Sequence, residues 1–174
     1  MSQLVTYTFE NNISLITLDD GKANVFSVQM LKELNSALDQ AEQAGSAVIL
    51  AGRENMFSGG FDLSVFKSGD NEQILEMLSL GAELSHRMLS FPLPIIAACT
   101  GHAVAMGTFV LLSTDYRIGA KGNSKFAANE VSIGLTVPHF AIEVVKQRII
   151  NKHRSKAVGL AHVFEVDEAL EAGF

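Results

Sequence analysis

The chain has 174 residues, of which 48% are hydrophobic and 18% are charged, and these values are typical of one compact globular domain. The net charge is −6 and the 13 Lys and Arg residues form no run, which argues against binding to a nucleic-acid backbone. Cys99 is the only cysteine, so an intramolecular disulfide and a cysteine metal cluster are excluded. The sequence therefore predicts a single domain over residues 1–174, with no metal site.

The N-terminal segment "MSQLVTYTFE" lacks the basic leader and the apolar core of a signal peptide, which favours a cytoplasmic protein. Residues 91–112 contain no Asp, Glu, Lys or Arg and are long enough to cross a membrane. Pro92, Pro94 and Gly101 interrupt this run, and such breakers favour a strand, a turn and a helix start instead. We therefore expect no membrane association.

The first half of the chain begins with two β-rich runs, "VTYTFE" and "ISLITLDD", separated by two Asn residues that tolerate the backbone of a tight turn. These runs predict an antiparallel hairpin. Ser27 is a suitable N-cap for a helix that ends at Gly45, because apolar residues then recur at helical spacing: Leu31, Leu34, Leu38 and Ala41. The segment "SAVILAG" follows as a buried strand.

The second half predicts further alternation of strands and helices. A glycine-containing loop leads to a helix over residues 72–89, with Ile74, Leu78 and Leu84 facing inward, and then to the strand "PIIAAC". From Gly101 a turn leads into a helix that ends near residue 114. The segments "YRIGA" and "SKFAA" predict short strands, Pro138 can begin another helix, and Asp167 can cap a last one. The order of elements indicates an α/β fold.

Two glycine-containing turns, "MFSGGFDL" and "TGHAVAMGTF", follow buried strands and precede helices. At such junctions the free N–H groups of the first helical turn bind negative charge, and glycine allows a ligand to approach the backbone. The two turns could together form an oxyanion hole, although glycine-rich turns are also common without any such role. Neither turn matches the dinucleotide-binding pattern, and the chain has no P-loop pattern.

Five segments together resemble the crotonase family, which comprises the enoyl-CoA hydratases and isomerases. They are "GKANVFS", "GRENMFSGGFDL", "CTGHAVAMGTFVLLSTDYRIG", "FAANEVSIGLTVP" and "EALEAGF", in the order found in that family. The resemblance implies the ClpP/crotonase fold, a spiral of ββα units, and assembly into a homotrimer or hexamer. The family usually continues beyond "AGF", so the resemblance also implies that its C-terminal helical region is absent from this sequence.

The resemblance further implies an acyl-CoA thioester as substrate, with coenzyme A as part of that substrate and no separate cofactor. The thioester carbonyl is expected to be held by the backbone N–H groups of Phe61 and Met106, whose side chains we expect to form walls of the acyl pocket. Lys22 and Ala23 match the loop that contacts coenzyme A, and the segment before Phe61, which includes Gly60, matches the part that approaches the adenine.

The resemblance also assigns the proton-transferring groups. Hydratases of this family hold a water molecule between two glutamates, which match Phe109 and Glu130 here. A Phe cannot transfer a proton, and the loss of such a group commonly lowers the rate by about 10² to 10⁴. The sequence therefore favours double-bond isomerisation with Glu130 as the only proton carrier. Its apolar setting in "ANEVSIGL" should raise the carboxyl pKa.

Several alternatives remain open from the sequence. Glu130 could be an ordinary surface residue, and His139 could face the acyl pocket or begin a helix. An enoyl-CoA hydratase with a non-standard second group and a non-catalytic acyl-CoA binding protein remain possible functions. A Clp-type serine peptidase is disfavoured, because its nucleophile would fall at Ala105. The sequence does not indicate which acyl chain is bound.

Overall fold

The computed structural model describes residues 3–174, so the first two residues of the predicted domain lie outside the described part. The predicted hairpin is confirmed. Strand β1 (Val5–Glu10) pairs antiparallel with β2 (Ile13–Leu18), and Asn11 and Asn12 have φ values of 51° and 62°. Asn adopts this left-handed region more readily than other non-glycine residues, which explains why the turn lies there.

The helix predicted after Ser27 is also confirmed. Helix α1 covers Val28–Ala44, the Ser27 side chain accepts a hydrogen bond from Met30 N, and Gly45 ends the helix in the left-handed conformation. The four residues predicted to face inward are all at most 1% exposed. Helix α1 packs against β1 and against α3 (Asn71–Leu89), so that its apolar face lies in the core.

The chain alternates between two sheets. After the hairpin, the chain forms strands β3 (Val25–Phe26), β4 (Ala47–Ala51), β5 (Asn55–Ser58), β6 (Gly60–Phe61), β7 (Ile95–Cys99), β8 (Gly101–Val104), β9 (Tyr116–Gly119), β10 (Lys125–Ala127) and β11 (Phe164–Glu165). The larger sheet has the order β1-β2-β4-β7-β9 and the smaller one β11-β10-β8-β5, while β3 and β6 form a separate pair. A strand in the larger sheet is repeatedly followed by a strand in the smaller sheet and then a helix, which is the predicted ββα repeat.

One prediction around this repeat was wrong. We expected a turn to lead directly from Gly101 into a helix, but residues 101–104 form β8, which lies between β5 and β10 in parallel pairing. Helix α4 (Met106–Leu112) begins only after β8. The segment "GHAV" has too few β-branched residues to predict a strand, and its strand conformation comes from pairing on both sides.

The helices between β6 and β7 also differ in part from the prediction. A short helix, α2 (Leu63–Ser68), lies where we expected a loop, and Asp62 caps it by accepting a hydrogen bond from Ser64 N. In α3, Leu84 is buried as predicted, whereas Ile74 and Leu78 are only half-buried. The fully buried residues of α3 are Met77, Gly81, Leu84, Ser85 and Met88.

The C-terminal part contains α5 (His139–Arg148), α6 (Asn151–Arg154), a π-helical turn (Ser155–Gly159) and α7 (Val166–Ala172). Pro138 precedes the first of these helices, as predicted. Asp167 does not cap the last one, because α7 already begins at Val166 and Asp167 lies within its first turn. An acidic residue there still interacts favourably with the helix dipole.

The uncharged run of residues 91–112 is divided among β7, β8 and α4. Within residues 3–174, none of the helices combines the length and the apolar character that a membrane crossing requires. Cys99 ends β7, and its thiol is buried, with the residue 3% exposed. Burial raises its pKa to about 11, so the nucleophilic thiolate is scarce near neutral pH.

Candidate active site

An apolar cavity of about 320 Å³ lies between the two glycine-containing turns and the segment that follows β10. Its volume falls at the lower end of the range of small-molecule sites. The cavity is lined by Gly59, Phe61, Leu63, Phe66, Leu78, Ala105, Phe109, Asn129, Glu130, Ile133, Leu135, Thr136 and Pro138. Few of these side chains are polar, and polar groups in such a cavity would therefore determine how a ligand is oriented.

The two turns are in direct contact beside this cavity. A Cβ atom added at Gly60 would lie 2.8 Å from Ala105 Cβ and 3.3 Å from Met106 N, so only glycine allows this approach. Gly60 also has a φ of 98°, which other residues rarely adopt. A Cβ atom at Gly107 would lie 2.4 Å from Ser58 O. The glycines thus hold the start of α4 against β5 and β6.

A hydrogen-bond network that the sequence did not indicate fixes the first turn. Ser58 Oγ donates to Asn24 O at 2.6 Å and accepts from Gly60 N at 3.1 Å. The Asn24 side chain donates to Leu18 O at 2.8 Å, and both Asn24 and Ser58 are fully buried. The only signal in the sequence was a pair of polar residues in otherwise apolar segments, "ANVF" and "MFSGG".

The network also determines which N–H groups remain available for a ligand. Because Gly60 N bonds to Ser58 Oγ, Gly60 is not placed to donate to a substrate. Asp62 N donates to Phe26 O in β3 at 3.4 Å, so the Asp62 N–H points towards β3. Because successive N–H groups of a strand point in opposite directions, the Phe61 N–H points away from β3. Met106 is the first residue of α4, where N–H groups have no partner within the helix.

The side chains of Phe61 and Met106 occupy different environments, one at the cavity and one in the core. Phe61 lines the cavity, and its ring packs so closely against α3 that a Cβ atom at Gly81 would be 2.5 Å from it. Met106 is fully buried and reaches the same glycine, at 3.2 Å from that Cβ position. Phe61 therefore forms a wall of this cavity, whereas Met106 packs into the core and does not line it.

Glu130 is not a surface residue. It begins a 3₁₀-helical turn (Glu130–Ile133), lines the cavity and is 6% exposed. Its Oε2 atom is buried without a hydrogen-bond partner. Burial raises the pKa of this carboxyl above its ordinary value of 4.5, as the apolar sequence setting predicted, although a hydrogen bond from the backbone partly opposes the effect.

Phe109 lies in the same cavity and is 1% exposed. Its ring meets that of Phe140 edge-on, with 6.2 Å between the ring centroids. Glu130 is therefore the only carboxylate among the described residues that line this cavity. The arrangement can accept and return one proton in an apolar setting, beside backbone N–H groups that can stabilise negative charge.

Four of the predicted substrate-binding residues, Lys22, Ala23, Gly60 and His139, lie outside the cavity lining. Lys22 is exposed on the loop before β3, and Ala23 is half-buried there, with its carbonyl accepting a hydrogen bond from Gly59 N at 2.8 Å. This loop therefore borders the cavity without lining it. His139 is exposed at the first residue of α5. It has the helix-start position rather than a place in the pocket.

Comparison with known proteins agrees with this geometry. The family model of the enoyl-CoA hydratase/isomerase family matches residues 8–174. A probable enoyl-CoA hydratase of Bacillus subtilis (strain 168) is 31% identical over 97% of this chain and 66% of its own length. Enoyl-CoA delta isomerase 3 of Arabidopsis thaliana is 30% identical over 84% of this chain and 64% of its own length. The chain thus spans about two thirds of the length of these relatives.

The crystal structure of an enoyl-CoA hydratase from Mycobacterium marinum superimposes with a TM-score of 0.94 at 45% identity. The match covers 98% of this chain and 75% of that one. The chain therefore has the crotonase fold that the sequence predicted. The chain belongs to the enoyl-CoA hydratase/isomerase family.

Proposed function

We propose that the protein acts on enoyl-CoA thioesters and moves their double bond from the β,γ to the α,β position, with Glu130 as the only proton carrier. One observation carries this proposal: a single buried carboxylate lies in an otherwise apolar cavity, where the second one expected of a hydratase is replaced by Phe109. Relatives named as hydratases and relatives named as isomerases both match the chain, so the proposal of isomerisation rests on the residues that line the cavity.

In the first step, Glu130 removes a proton from the α-carbon of the β,γ-enoyl thioester. The electron pair of the broken C–H bond delocalises onto the thioester oxygen, which gives a dienolate. The N–H groups of Phe61 and Met106 donate to that oxygen, and a backbone donor of this kind is typically worth about 3 to 4 kcal/mol in the transition state. The packing at Gly60 and Gly107 supports this role, because it holds the two donors in place before the substrate binds.

In the second step, the protonated Glu130 returns the proton to the γ-carbon, and the double bond then lies between the α- and β-carbons. One carboxyl group is sufficient because it is base in the first step and acid in the second. A raised pKa suits this exchange, since a group of intermediate acidity both accepts and releases a proton readily.

We also propose that coenzyme A, as part of the substrate, extends from the cavity along the loop of Lys22 and Ala23, with its adenine near the segment that includes Gly60. No separate cofactor is needed for the two proton transfers. By the same family resemblance we propose assembly into a homotrimer or hexamer, and a cytoplasmic location. A purely binding protein is disfavoured, because it would gain nothing from a carboxyl group buried without a partner.

Replacing Glu130 with Gln tests the proposal, since it keeps the shape and removes the base. We expect turnover of a β,γ-enoyl-CoA to fall at least about 10²-fold, while the affinity for the thioester changes little. Chromatographic separation of the two enoyl-CoA isomers measures turnover, and calorimetry with a saturated acyl-CoA measures affinity.

The matched control is Glu143→Gln, which removes a carboxylate from the surface of α5, where it pairs with Lys146 at 2.8 Å. This variant should turn over normally. The proposal fails if Glu130→Gln retains wild-type turnover, or if the wild-type protein hydrates the α,β isomer faster than it forms it.

A further inference from the structure

The active-site cavity is closed on the side of α4. Phe109 lines this side and is 1% exposed, and all seven residues of α4 are buried. Behind Phe109, outside the cavity lining, Phe140 of α5 meets the Phe109 ring edge-on. Because α4 packs against α5 here, an acyl chain cannot leave the cavity in this direction.

The cavity is open on the side of α2 and the 3₁₀-helical turn. Leu63 begins α2, Ile133 ends the turn, and both side chains line the cavity. Leu63 is 47% exposed and Ile133 is 46% exposed, whereas Glu130 at the start of the same turn is buried. The cavity therefore reaches the surface at Leu63 and Ile133, and this opening has apolar edges.

A third apolar side chain extends this surface beyond the opening. Leu75 of α3 is 65% exposed and lies three residues before Leu78, which lines the cavity. Residues three apart are neighbours on a helix surface, so Leu75 adjoins the cavity wall on the side nearer to α2. We call Leu63, Leu75 and Ile133 the apolar rim. Exposed apolar side chains grouped at the edge of a cavity are typical of a surface that binds a ligand.

The volume of the cavity limits the length of the acyl chain that it can enclose. A water molecule occupies about 30 Å³ of the liquid and a methylene group is of similar size, so the cavity of about 320 Å³ accommodates about ten non-hydrogen atoms. The sulfur and the oxygen of the thioester take two of these places, which leaves roughly eight for carbon atoms. Any further carbon atoms must lie outside the cavity.

We propose that the acyl chain leaves the cavity at this opening and lies along the apolar rim, so that the protein prefers enoyl-CoA thioesters of about 10 to 14 carbons to shorter ones. This inference rests on the proposed function, in which the thioester is held by the N–H groups of Phe61 and Met106 and coenzyme A follows the Lys22 loop. From the thioester, the chain is then blocked by α4 on one side and meets the apolar rim on the other. A long chain removes the rim from water, and each methylene group that is fully buried strengthens binding about fourfold.

The binding of saturated acyl-CoA thioesters with six, eight, ten and twelve carbons tests the proposal, at concentrations below those that form micelles. From octanoyl-CoA to dodecanoyl-CoA we expect the dissociation constant to fall at least about tenfold, because four half-covered methylene groups contribute about twofold each. Calorimetry measures these constants. The value of kcat/KM for isomerisation of the trans-3-enoyl-CoA thioesters of the same lengths should rise in parallel.

Leu75→Ser removes one side chain of the rim without changing the cavity lining. We expect this variant to bind dodecanoyl-CoA at least about threefold more weakly, and to bind hexanoyl-CoA within about 1.5-fold of the wild type. Leu170→Ser is the matched control, because Leu170 is a helical leucine that is 77% exposed on α7 and does not line this cavity. It should bind both thioesters as the wild-type protein does.

The possible outcomes distinguish this proposal from the proposed function. A dissociation constant that stops falling beyond octanoyl-CoA would overturn the role of the rim, while isomerisation that depends on Glu130 would stand. Equal losses in Leu75→Ser and Leu170→Ser, or no loss in Leu75→Ser, would also overturn it. Tighter binding of dodecanoyl-CoA that depends on Leu75, in a protein without isomerase activity, would support the rim and overturn the proposed reaction.

Discussion

The burial of Glu130 is unfavourable for the stability of the fold but suits the proton transfer that we propose for this residue. Its carboxyl group lies in an apolar cavity and has no cationic partner among the ion pairs of the described residues. Burying an ionised group without a partner is unfavourable, and proteins usually avoid it away from functional sites. The folded protein is therefore destabilised when Glu130 is ionised, and this ionised form is the one in which Glu130 can act as a base.

The pH dependence of stability should reveal this cost. Because burial raises the pKa of Glu130 in the folded state, the wild-type protein loses stability as the pH rises from about 4.5 through that raised pKa. Glu130→Gln has no carboxyl to ionise, so we expect it to be more stable than the wild type at pH 8. The difference should vanish well below pH 4.5, where Glu130 is protonated in both the folded and the unfolded state.

Urea unfolding of both proteins at several pH values measures this difference. Glu143→Gln is again the control, since its carboxyl is exposed and lies beside Lys146, so it should show no such gain at high pH. A constant difference between Glu130→Gln and the wild type at all pH values would instead indicate altered packing.

At the scale of elements, the important contact is that between β5 and the start of α4. Gly107 lies so close to Ser58 that a side chain at this position would clash with backbone, and backbone cannot move away by changing rotamer. The clash would displace Met106, whose N–H is one of the two proposed donors. Gly107 therefore links the position of α4 to the geometry of the proposed oxyanion hole.

Gly107→Ala should push the start of α4 away from β5. We expect a loss of about 1 to 3 kcal/mol in the free energy of unfolding, which is typical of overpacking, together with reduced turnover. Gly159→Ala is a suitable control, because a Cβ atom there meets nothing within 4 Å, and the change should be neutral or slightly stabilising. Urea unfolding and the isomerisation assay measure both effects, and similar behaviour of the two variants would contradict the proposed contact.

The sequence predicted elements best where local signals were strong. The two Asn residues of the first turn, Ser27 and Gly45 gave correct boundaries because caps and tight turns depend on nearby residues. It failed at β8, since the strand conformation of residues 101–104 depends on pairing with β5 and β10, which are distant in sequence. The inward face of α3 was shifted because Gly81 and Ser85, which are not apolar markers, contribute to it.

At the scale of the whole molecule, the fold and the backbone of the site were predicted by resemblance, whereas the side-chain details were not. The two turns and Glu130 meet at one cavity, as the resemblance implied. The roles of Ser58 and Asn24 could not be predicted, because a hydrogen bond between distant loops leaves no periodic pattern. The same is true of Met106, which turns into the core because Gly81 on a distant helix leaves room for it.

Ligand binding should stabilise the whole domain, since the cavity is formed only when both turns are folded. With an acyl-CoA at 100 times its dissociation constant, we expect the free energy of unfolding to rise by about 2.7 kcal/mol. The corresponding free fatty acid should give little effect at the same concentration, because it lacks the coenzyme A portion that we place along the Lys22 loop. Thermal unfolding monitored by circular dichroism tests this, and an equal shift with the free acid would argue against a thioester site.

The contact between the two turns also has a consequence for the order of folding. Strands β5 and β8 are separated by β6, α2, α3 and β7, so their pairing closes a long loop. Long-range pairings of this kind form slowly, whereas helices such as α1 depend on local contacts and form early. We therefore expect the two proposed N–H donors to come together late in folding. A molecule that has regained most of its helices should still be inactive until β5 and β8 have paired.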